Sequence, residues 1–443
     1  MLNKIYKEYR DIIKKDTPKY LADLDLVTQK MNNSNARYKG EIIDFLYQPM
    51  FFEQKDISKF KYIAEMIYGI ITKCTNEFIT NPDFRKFFGF SKTMEDLILI
   101  DPGYKNPAPV ARLDIFYDGD FKFCELNGDG TSAMNEANTL EQIFSDSAVI
   151  AELRKKYDIR YYELFFSFLS ELLKIYREFG GKGKPSIAIA DFMGLGSNEE
   201  FESFKEAFEQ KGHKTIICDP RDMEYRDGKL YVGNFKIDLV YRRAVNKEVE
   251  LRIEECSDLI QAYKEKAVCV VGPFRSQIMH NKIFFEVLTS EAKTDFLNSQ
   301  ERDFIHKHIP KTFQVHKNNL SKILTDKDNY LLKPKDLYAG KGVICGLDQN
   351  KEDWERSLRQ AAASNDYLLQ KFCNFTQKEI TVSENEQFNV KNLKTTLGLF
   401  IYNGKFSGLY SRVGSRNVIA GIQESISLPS FVYKPKNEFE PDK

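Results

Sequence analysis

The feature that most constrains the fold of this 443-residue chain is a charged stretch starting at residue 110, VARLDIFYDGDFKFCELNGDG. Two strand-like runs flank Asp118-Gly119, a pair that favours a two-residue type I′ turn, so the stretch predicts a β-hairpin. Pairing outward from that turn places Arg112 opposite Glu125 and Asp114 opposite Phe123. The chain therefore has to contain a sheet with charged side chains on paired strands.

Because side chains alternate between the faces of a strand, one face of this hairpin is predicted to carry Arg112, Asp114, Glu125 and Asn127. Such a face cannot be an ordinary core face, since unpaired charges are costly to bury. One interpretation turns it to solvent, with Arg112 and Glu125 as a cross-strand ion pair. The other is a magnesium site, because Asp, Glu and Asn supply hard oxygen ligands and phosphates can complete the octahedron. Both interpretations are open at this point.

Glycine-rich loops suggest contacts with an anion at two places. Residues 128–132, GDGTS, follow the hairpin and could offer backbone N–H groups to an anion. Far downstream, a predicted strand ends at Lys333, and a loop with Gly340, Lys341 and Gly342 leads into the next strand. This order is typical of a phosphate cover, because glycine lets the backbone approach a ligand closely. A plain hairpin turn is the alternative, and no Walker A pattern is present.

Three further segments suit a nucleotide. The predicted strand DYLLQKFC ends at residues 370–372, whose backbone N–H and C=O groups could pair with the edge of adenine. Lys282 stands at the predicted start of a helix that follows a strand. Arg412 follows the second strand of a hairpin predicted to turn at Asn403-Gly404. An arginine beside phosphates neutralises charge that develops during phosphoryl transfer.

The length predicts roughly two to four domains. Apolar residues at three-to-four spacing predict a mainly helical first region, and alternating strands and helices predict a Rossmann-like unit in the middle. The predicted divisions are a helical region over 1–100, the metal-binding hairpin with helices over 101–183, a Rossmann-like domain over 184–275, a nucleotide-binding part over 276–430 and a tail over 431–443.

Composition excludes some classes of protein. The 65 Lys and Arg residues balance 65 Asp and Glu residues, so a protein held to nucleic acid by bulk charge is not expected. The apolar runs are too short to cross a membrane, and the N-terminus has no secretory signal. The seven cysteines are scattered without a CxxC pair, which predicts free thiols in a reducing cytoplasm.

Together these motifs resemble the ATP-grasp superfamily, and most closely its circularly permuted branch, the glutathionylspermidine synthase-like ligases. In ordinary ATP-grasp enzymes the nucleotide lysines precede the Glu-x-Asn metal motif. Here RLD (112–114) and ELNGD (125–129) precede Lys282 and Lys333, which is the permuted order. The segments IDLVYRR and LYSR also resemble the family, and the resemblance covers roughly residues 105–425.

The resemblance implies an α/β (α+β) protein with the ATP-grasp fold in permuted order, a Rossmann-like pre-ATP-grasp unit and a helical N-terminal region. It assigns magnesium to Asp114, Glu125 and Asn127. It assigns the nucleotide to Lys282, Lys333, Gly340, Lys341, Gly342, Gln370, Lys371 and Phe372. It places Arg112 and Arg412 beside the transferring phosphate and Ser132 near the substrate carboxylate.

The activity implied by the resemblance is ATP-dependent amide formation. ATP and Mg²⁺ would be the cofactors, and a small-molecule carboxylate and an amine would be the substrates, with no nucleic-acid or membrane partner. The N-terminal amidase domain of the bifunctional family member is absent, because the first region lacks its cysteine and histidine context. Glutathione and spermidine are therefore not implied as substrates.

Three other functions compete with this interpretation. The segment MGLGSNEE (193–200) follows a predicted strand, as in NAD-binding proteins, but Glu199 replaces the third glycine and would repel a pyrophosphate. A non-catalytic ATP-binding protein would use the same lysines. A phosphotransferase would stop after phosphorylating a small molecule.

Overall fold

The computed structural model describes residues 4–316, 320–337, 340–373, 377–419 and 425–436, apart from the side chains of residues 321 and 322. Helices and several sheets alternate along the chain, so the predicted mixed α/β class is confirmed. Within the described ranges, every helix is too short or too polar to cross a lipid bilayer.

The N-terminal region is mainly helical, as its apolar spacing predicted. Its long third helix buries Phe60, Ile63, Ile67 and Ile70 on one face, at the three-to-four spacing of an amphipathic helix. Short strands, which the sequence did not predict, separate the helices. The elements are α1 (Lys4–Lys15), α2 (Thr17–Asn32), β1 (Arg37–Tyr38), β2 (Glu41–Ile42), β3 (Met50–Phe52), α3 (Gln54–Thr80), α4 (Pro82–Arg85) and α5 (Lys92–Leu99).

The charged hairpin follows, and helices come after it along the chain. The hairpin turns at Gly119, which has a φ of 75°, a value that glycine adopts readily. The elements are β4 (Val110–Asp118), β5 (Asp120–Asn127), α6 (Met134–Ser145), α7 (Ala148–Leu153), β6 (Tyr157–Arg160) and α8 (Phe165–Glu178).

The middle of the chain forms a four-stranded parallel sheet, which confirms the predicted Rossmann-like unit. The elements are β7 (Ile187–Ala190), α9 (Asn198–Gln210), β8 (Thr215–Cys218), β9 (Glu224–Arg226), β10 (Lys229–Val232), β11 (Phe235–Ile237), β12 (Leu239–Arg242), α10 (Asn246–Leu251), α11 (Ser257–Lys264) and β13 (Cys269–Val271). The strand order is β13-β12-β7-β8, while β9, β10 and β11 form a small antiparallel sheet.

A second, antiparallel four-stranded sheet carries the predicted nucleotide segments. Its strand order is β14-β17-β15-β16, and the fully buried Trp354 packs beneath it with Leu332 and Leu369. The elements are α12 (Ser276–His280), α13 (Ile283–Leu288), α14 (Ser299–His308), β14 (Thr312–Gln314), α15 (Leu320–Thr325), β15 (Tyr330–Pro334), β16 (Ile344–Cys345), α16 (Lys351–Ser364) and β17 (Tyr367–Lys371).

The last strands complete an antiparallel sheet around the charged hairpin, in the order β21-β20-β19-β4-β5, with β18 also paired to β19. The elements are β18 (Gln377–Glu384), β19 (Gln387–Tyr402), β20 (Lys405–Gly414), β21 (Ile426–Leu428) and β22 (Ser430–Pro435). Asn403 and Gly404 have φ values of 50° and 81°, so the predicted turn is confirmed as one with two left-handed residues.

The chain end differs from the predicted tail over residues 431–443. Strand β22 lies between β3 and β6, parallel to the first and antiparallel to the second. Phe431 and Val432 are buried there because their side chains join the core on the two faces of that sheet. Residues 437–443 of the predicted tail lie outside the described residues.

The sheet built around the hairpin has two chemically different faces. One face packs Leu113, Leu399 and Leu409 against Phe60 and Ile63 of α3 in the largest apolar core. Side chains alternate along each strand, so the neighbouring positions project from the other face. That second face carries the charged residues that the sequence singled out.

Candidate active site

The hairpin places its charged residues side by side, although the predicted register was wrong. Asp114 lies directly opposite Glu125, and Arg112 lies opposite Asn127. Asp118 pairs with Asp120 around Gly119 alone, and a bulge follows between residues 114 and 115. Relative to the predicted pairing, the register is shifted by one residue at the turn and by one more at the bulge. A total shift of two residues leaves the four side chains on the predicted common face.

Asp114 is held between two arginines. Its Oδ1 accepts from Arg112 Nε at 2.7 Å, and its Oδ2 accepts from Arg112 Nη2 at 3.1 Å and from Arg412 Nη2 at 3.0 Å. Asn127 Nδ2 donates to the same Oδ2 at 3.3 Å. Burial raises the pKa of this carboxyl, but the two guanidinium groups outweigh burial and hold the pKa below its ordinary value.

A tyrosine and a glycine that the sequence analysis missed shape this arginine pair. The Tyr410 ring lies 5.5 Å from the Arg112 guanidinium carbon and 4.9 Å from that of Arg412. Gly398 of β19 is paired with Asp114 of β4, and a Cβ atom on Gly398 would lie only 2.7 Å from Arg112 Cδ. A glycine inside a predicted strand indicates close approach of a neighbour, so this signal was present in the sequence.

Glu136, at the start of α6, is a second missed residue. Its Oε2 accepts a hydrogen bond from the Tyr410 hydroxyl at 2.7 Å, and the carboxyl is buried. Burial raises the pKa of Glu136 to about 7, because the hydrogen bond from Tyr410 only partly offsets the loss of solvation. The arginine cluster therefore has a neighbour that changes charge near neutral pH.

Ser132 contributes to the cluster through its backbone. Its carbonyl oxygen accepts a hydrogen bond from Arg112 Nη1 at 2.8 Å. The loop that carries Ser132 is anchored by Asp129, which accepts from the fully buried Arg242 at 3.1 Å and from the backbone of Asn246 at 2.5 Å. The loop thus fixes Arg112 in place.

The two predicted nucleotide lysines lie beside the same hairpin. Lys282 Nζ is 2.7 Å from Glu125 Oε1 and also donates to the carbonyl of Leu337 at 2.5 Å. Lys333 Nζ donates to the carbonyl of Cys124 at 2.8 Å. Burial raises the pKa of Glu125, but the two lysines hold it below its ordinary value. The structure therefore brings together residues that are far apart in the sequence.

A narrow pocket lies between these lysines and the hairpin. The volume open to a water-sized sphere is about 10 Å³, which is about the space of one water molecule. Its walls are Cys124, Glu125, Leu126, Met279, His280, Asn281, Lys282, Phe285, Thr312, Lys333, Leu368 and Gln370. The lining combines charged side chains with apolar ones and neutral hydrogen-bonding groups.

The loop with Gly340, Lys341 and Gly342 joins β15 to β16, as predicted, although residues 338–339 lie outside the described residues. Gly340 and Gly342 have φ values of 69° and 72°, which favour glycine. The bond from Lys282 to the Leu337 carbonyl ties the start of this loop to the pocket.

At the predicted adenine edge, residues 370–372, two backbone donors are already bonded within the sheet. The N–H of Lys371 donates to the Lys311 carbonyl at 2.9 Å, and that of Phe372 donates to the Asn329 carbonyl at 2.7 Å. Strand β17 is an interior strand, so neighbouring segments on both sides use these donors. The Gln370 side chain lines the pocket and donates to the Thr312 hydroxyl at 3.0 Å.

The donor set fits Mg²⁺ only in part. Asp114, predicted as a ligand, has both oxygens occupied by guanidinium groups, so it is not placed to bind a cation. Glu125 Oε2 and Asn127 Oδ1 accept no hydrogen bond from any residue in the described ranges. Magnesium commonly takes one or two protein oxygens together with phosphates, and these two atoms fit that role. Among the described residues, no three His, Cys, Asp or Glu side chains converge as a metal site.

The charge of the site favours an anion. Arg112, Arg412, Lys282 and Lys333 carry four positive charges, against negative charges on Asp114 and Glu125 and a partly ionised Glu136 near neutral pH, so positive charge is in excess. In addition, Arg412 Nε is buried and has no hydrogen-bond partner within the described part of the chain. Clusters of buried cations with unused donors suit phosphate oxygens.

Comparison with solved structures shows the fold. A glutathione synthetase-like effector from Globodera pallida, in its apo form, has a TM-score of 0.61 at 13% identity, over 93% of this chain and 96% of that chain. A putative gamma-glutamylcysteine synthetase from Methylobacillus flagellatus has a TM-score of 0.42 at 10% identity, over 81% and 87%. A RimK domain ATP-grasp protein from Sphaerobacter thermophilus has a TM-score of 0.29 at 10% identity, over 55% and 89%.

No family model matches the sequence, and no curated protein matches it either. The similarity to the Globodera protein extends over nearly the whole of both chains. The predicted ATP-grasp fold class is therefore confirmed. The circular permutation and the glutathionylspermidine synthase-like family remain predictions.

Proposed function

We propose that the chain is an ATP-dependent carboxylate–amine ligase that releases ADP and forms an amide or peptide bond through an acyl phosphate. The observation that carries the proposal is the excess of positive charge that Arg112, Arg412, Lys282 and Lys333 place along the charged hairpin. The ATP-grasp fold supports it. The division of the chain into a helical region, a Rossmann-like domain and two ATP-grasp parts belongs to the same proposal.

In the first step, a carboxylate oxygen of the acid substrate attacks the γ-phosphorus of ATP. The bond between that phosphorus and the bridging oxygen breaks, and ADP leaves with the electron pair. Lys282 and Lys333 would hold the nucleotide phosphates, and Arg112 and Arg412 would neutralise the charge on the transferring group. Mg²⁺, held by Glu125 and Asn127, would supply further neutralisation of the phosphates when bound.

In the second step, the amine nitrogen attacks the acyl carbon and phosphate leaves with the electron pair of the C–O bond. The nitrogen loses a proton as the amide forms. Charge is again carried by phosphate oxygens, so the same two arginines would stabilise both steps.

To bind ATP, the two lysines have to give up the contacts that they make in the present arrangement. Lys282 is paired with Glu125, and Lys333 with a backbone carbonyl. A polyphosphate offers both lysines several charged acceptors, which form stronger hydrogen bonds than a neutral carbonyl. We expect the nucleotide to draw the lysines away from the hairpin and to widen the pocket.

A non-catalytic ATP-binding protein is the second candidate. It is favoured by the double pairing of Asp114, which withholds both arginines from a substrate until that pairing is broken. A phosphotransferase would share the first step and stop there.

The test is a screen of pairs of small carboxylates and amines with the 443-residue chain, ATP and Mg²⁺, in which nucleotide and product are measured together. A ligase releases ADP and phosphate only when both substrates are present, and an amide appears in equal amount. A phosphorylated small molecule without an amide would indicate the phosphotransferase. Release of AMP and pyrophosphate would contradict the acyl-phosphate mechanism. ATP binding without turnover in any pair would favour the non-catalytic candidate.

A further inference from the structure

His280 is a buried histidine with an unused nitrogen in the pocket wall. It is the last residue of α12, is 8% exposed and lines the pocket together with Lys282 and Lys333. Its Nδ1 is enclosed and has no hydrogen-bond partner in the described part of the chain. Buried polar groups nearly always have a partner, so an exception calls for an explanation.

Two other buried histidines follow the rule. His213 Nδ1 lies 3.1 Å from the Pro185 carbonyl, and His308 Nδ1 lies 2.9 Å from the Phe121 carbonyl. Neither of them lines the pocket. The unpartnered ring is thus the one that borders the pocket, which points to a ligand as its missing partner.

The rest of the pocket wall indicates which part of a nucleotide this partner belongs to. The phosphates suit the lysines, whereas Leu126, Phe285 and Leu368 suit an uncharged, flat group. A nucleobase is such a group, and it needs hydrogen-bonding partners at its edge. The backbone donors of Lys371 and Phe372 are already used within the sheet. Those two donors are therefore not free for a base, whereas side chains of the pocket wall can supply partners.

We propose that His280 hydrogen-bonds the base of the nucleoside triphosphate bound in this pocket. This inference rests on the proposed function, because it requires a nucleotide in this pocket. The two ring nitrogens of an imidazole can serve as donor and acceptor, so the ring can match the edge of a base. Gln370 and Thr312, hydrogen-bonded to each other in the same wall, keep neighbouring polar atoms in place.

The experiment is calorimetric titration of the 443-residue chain with ATP and, separately, with inorganic tripolyphosphate, which has no base. We compare wild type with His280→Leu and with the control His213→Leu. For His280→Leu we expect a roughly tenfold weaker ATP affinity, about 1.4 kcal/mol, an unchanged tripolyphosphate affinity and a melting temperature no lower than that of wild type. For His213→Leu we expect a lower melting temperature and unchanged affinity for both ligands.

A second variant keeps the test decisive if leucine disturbs the fold. His280→Asn retains hydrogen-bonding atoms and should keep ATP affinity closer to wild type than His280→Leu does. Unchanged ATP affinity in both His280 variants would overturn the inference and leave the proposed function standing. Equal losses of ATP and tripolyphosphate would also overturn it, since His280 would then act on the phosphates. A wild-type chain that binds neither ligand would overturn both proposals.

Discussion

Asp114→Asn is the sharpest test of how much the pairing of Asp114 with Arg112 and Arg412 stabilises the fold. The side chains of Arg112 and Arg412 are only 11% and 7% exposed, and Asp114 neutralises both. Asn keeps the size of the side chain but leaves two buried guanidinium groups without a counter-charge. Removing one partner of a buried ion pair costs about 3–5 kcal/mol. We expect the free energy of unfolding to fall by about that amount at neutral pH.

The assay is urea unfolding followed by circular dichroism, with Asp158→Asn as the matched control. Asp158 pairs with Lys434 at 3.5 Å, but these side chains are 47% and 68% exposed. An exposed pair of this kind contributes about 0–1 kcal/mol, so the control should unfold almost like wild type. A shift of the urea midpoint at unchanged slope would report a change in stability alone.

The same comparison has a pH dependence of known sign. The folded pKa of Asp114 lies below its ordinary value of 3.8, so its contribution is present at neutral pH and is lost as the pH falls through the folded pKa. The difference between wild type and Asp114→Asn should therefore shrink in strong acid. An Asp114→Asn variant as stable as the Asp158→Asn control at pH 7 would refute the account of the cluster.

Three further predictions concern its neighbours. Gly398→Ala places a Cβ 2.7 Å from Arg112 Cδ and should lower both the melting temperature and turnover, whereas Gly69→Ala, with no atom within 4 Å, should be neutral or stabilising by up to about 1 kcal/mol. Because the pKa of Glu136 is raised to about 7, its carboxyl makes the free energy of unfolding of the protein fall as the pH rises from about 4.5 to 7. Glu136→Gln should remove roughly 3 kcal/mol of that fall, measured by urea unfolding at several pH values. An unchanged fall in the variant would contradict the raised pKa of Glu136. Arg112→Ala should lose roughly 10²–10³ in turnover with nearly normal ATP affinity, and a variant with lowered stability but normal turnover per folded molecule would end the catalytic role of Arg112.

Local patterns in the sequence predicted much of the fold. The alternation of short apolar runs and amphipathic helices gave the parallel sheet around β7, and Asn403-Gly404 gave the turn between β19 and β20. The charged hairpin was found, but not its register. A bulge of one residue has no reliable sequence signal, since it depends on how both strands pack against the rest of the sheet.

Contacts between distant segments could not be predicted in this way. The bond from Arg412 to Asp114 joins residues 298 positions apart, and it exists because β19 lies between β20 and β4. The family resemblance placed both arginines near one phosphate but did not indicate that they share a carboxylate. The N–H groups of Lys371 and Phe372 are already hydrogen-bonded because β17 is an interior strand of its sheet. No local sequence pattern shows that a strand is interior.

Titration of the chain with ATP tests most directly the central claim that Lys282 and Lys333 hold the phosphates of a nucleotide. Wild type is compared calorimetrically with Lys333→Met and with Lys405→Met, a control that removes an exposed lysine elsewhere. Loss of a charged hydrogen bond should weaken ATP binding to Lys333→Met by about 1.5–3 kcal/mol, while the control binds like wild type. Equal ATP affinity in all three proteins, or no binding to wild type, would contradict the claim.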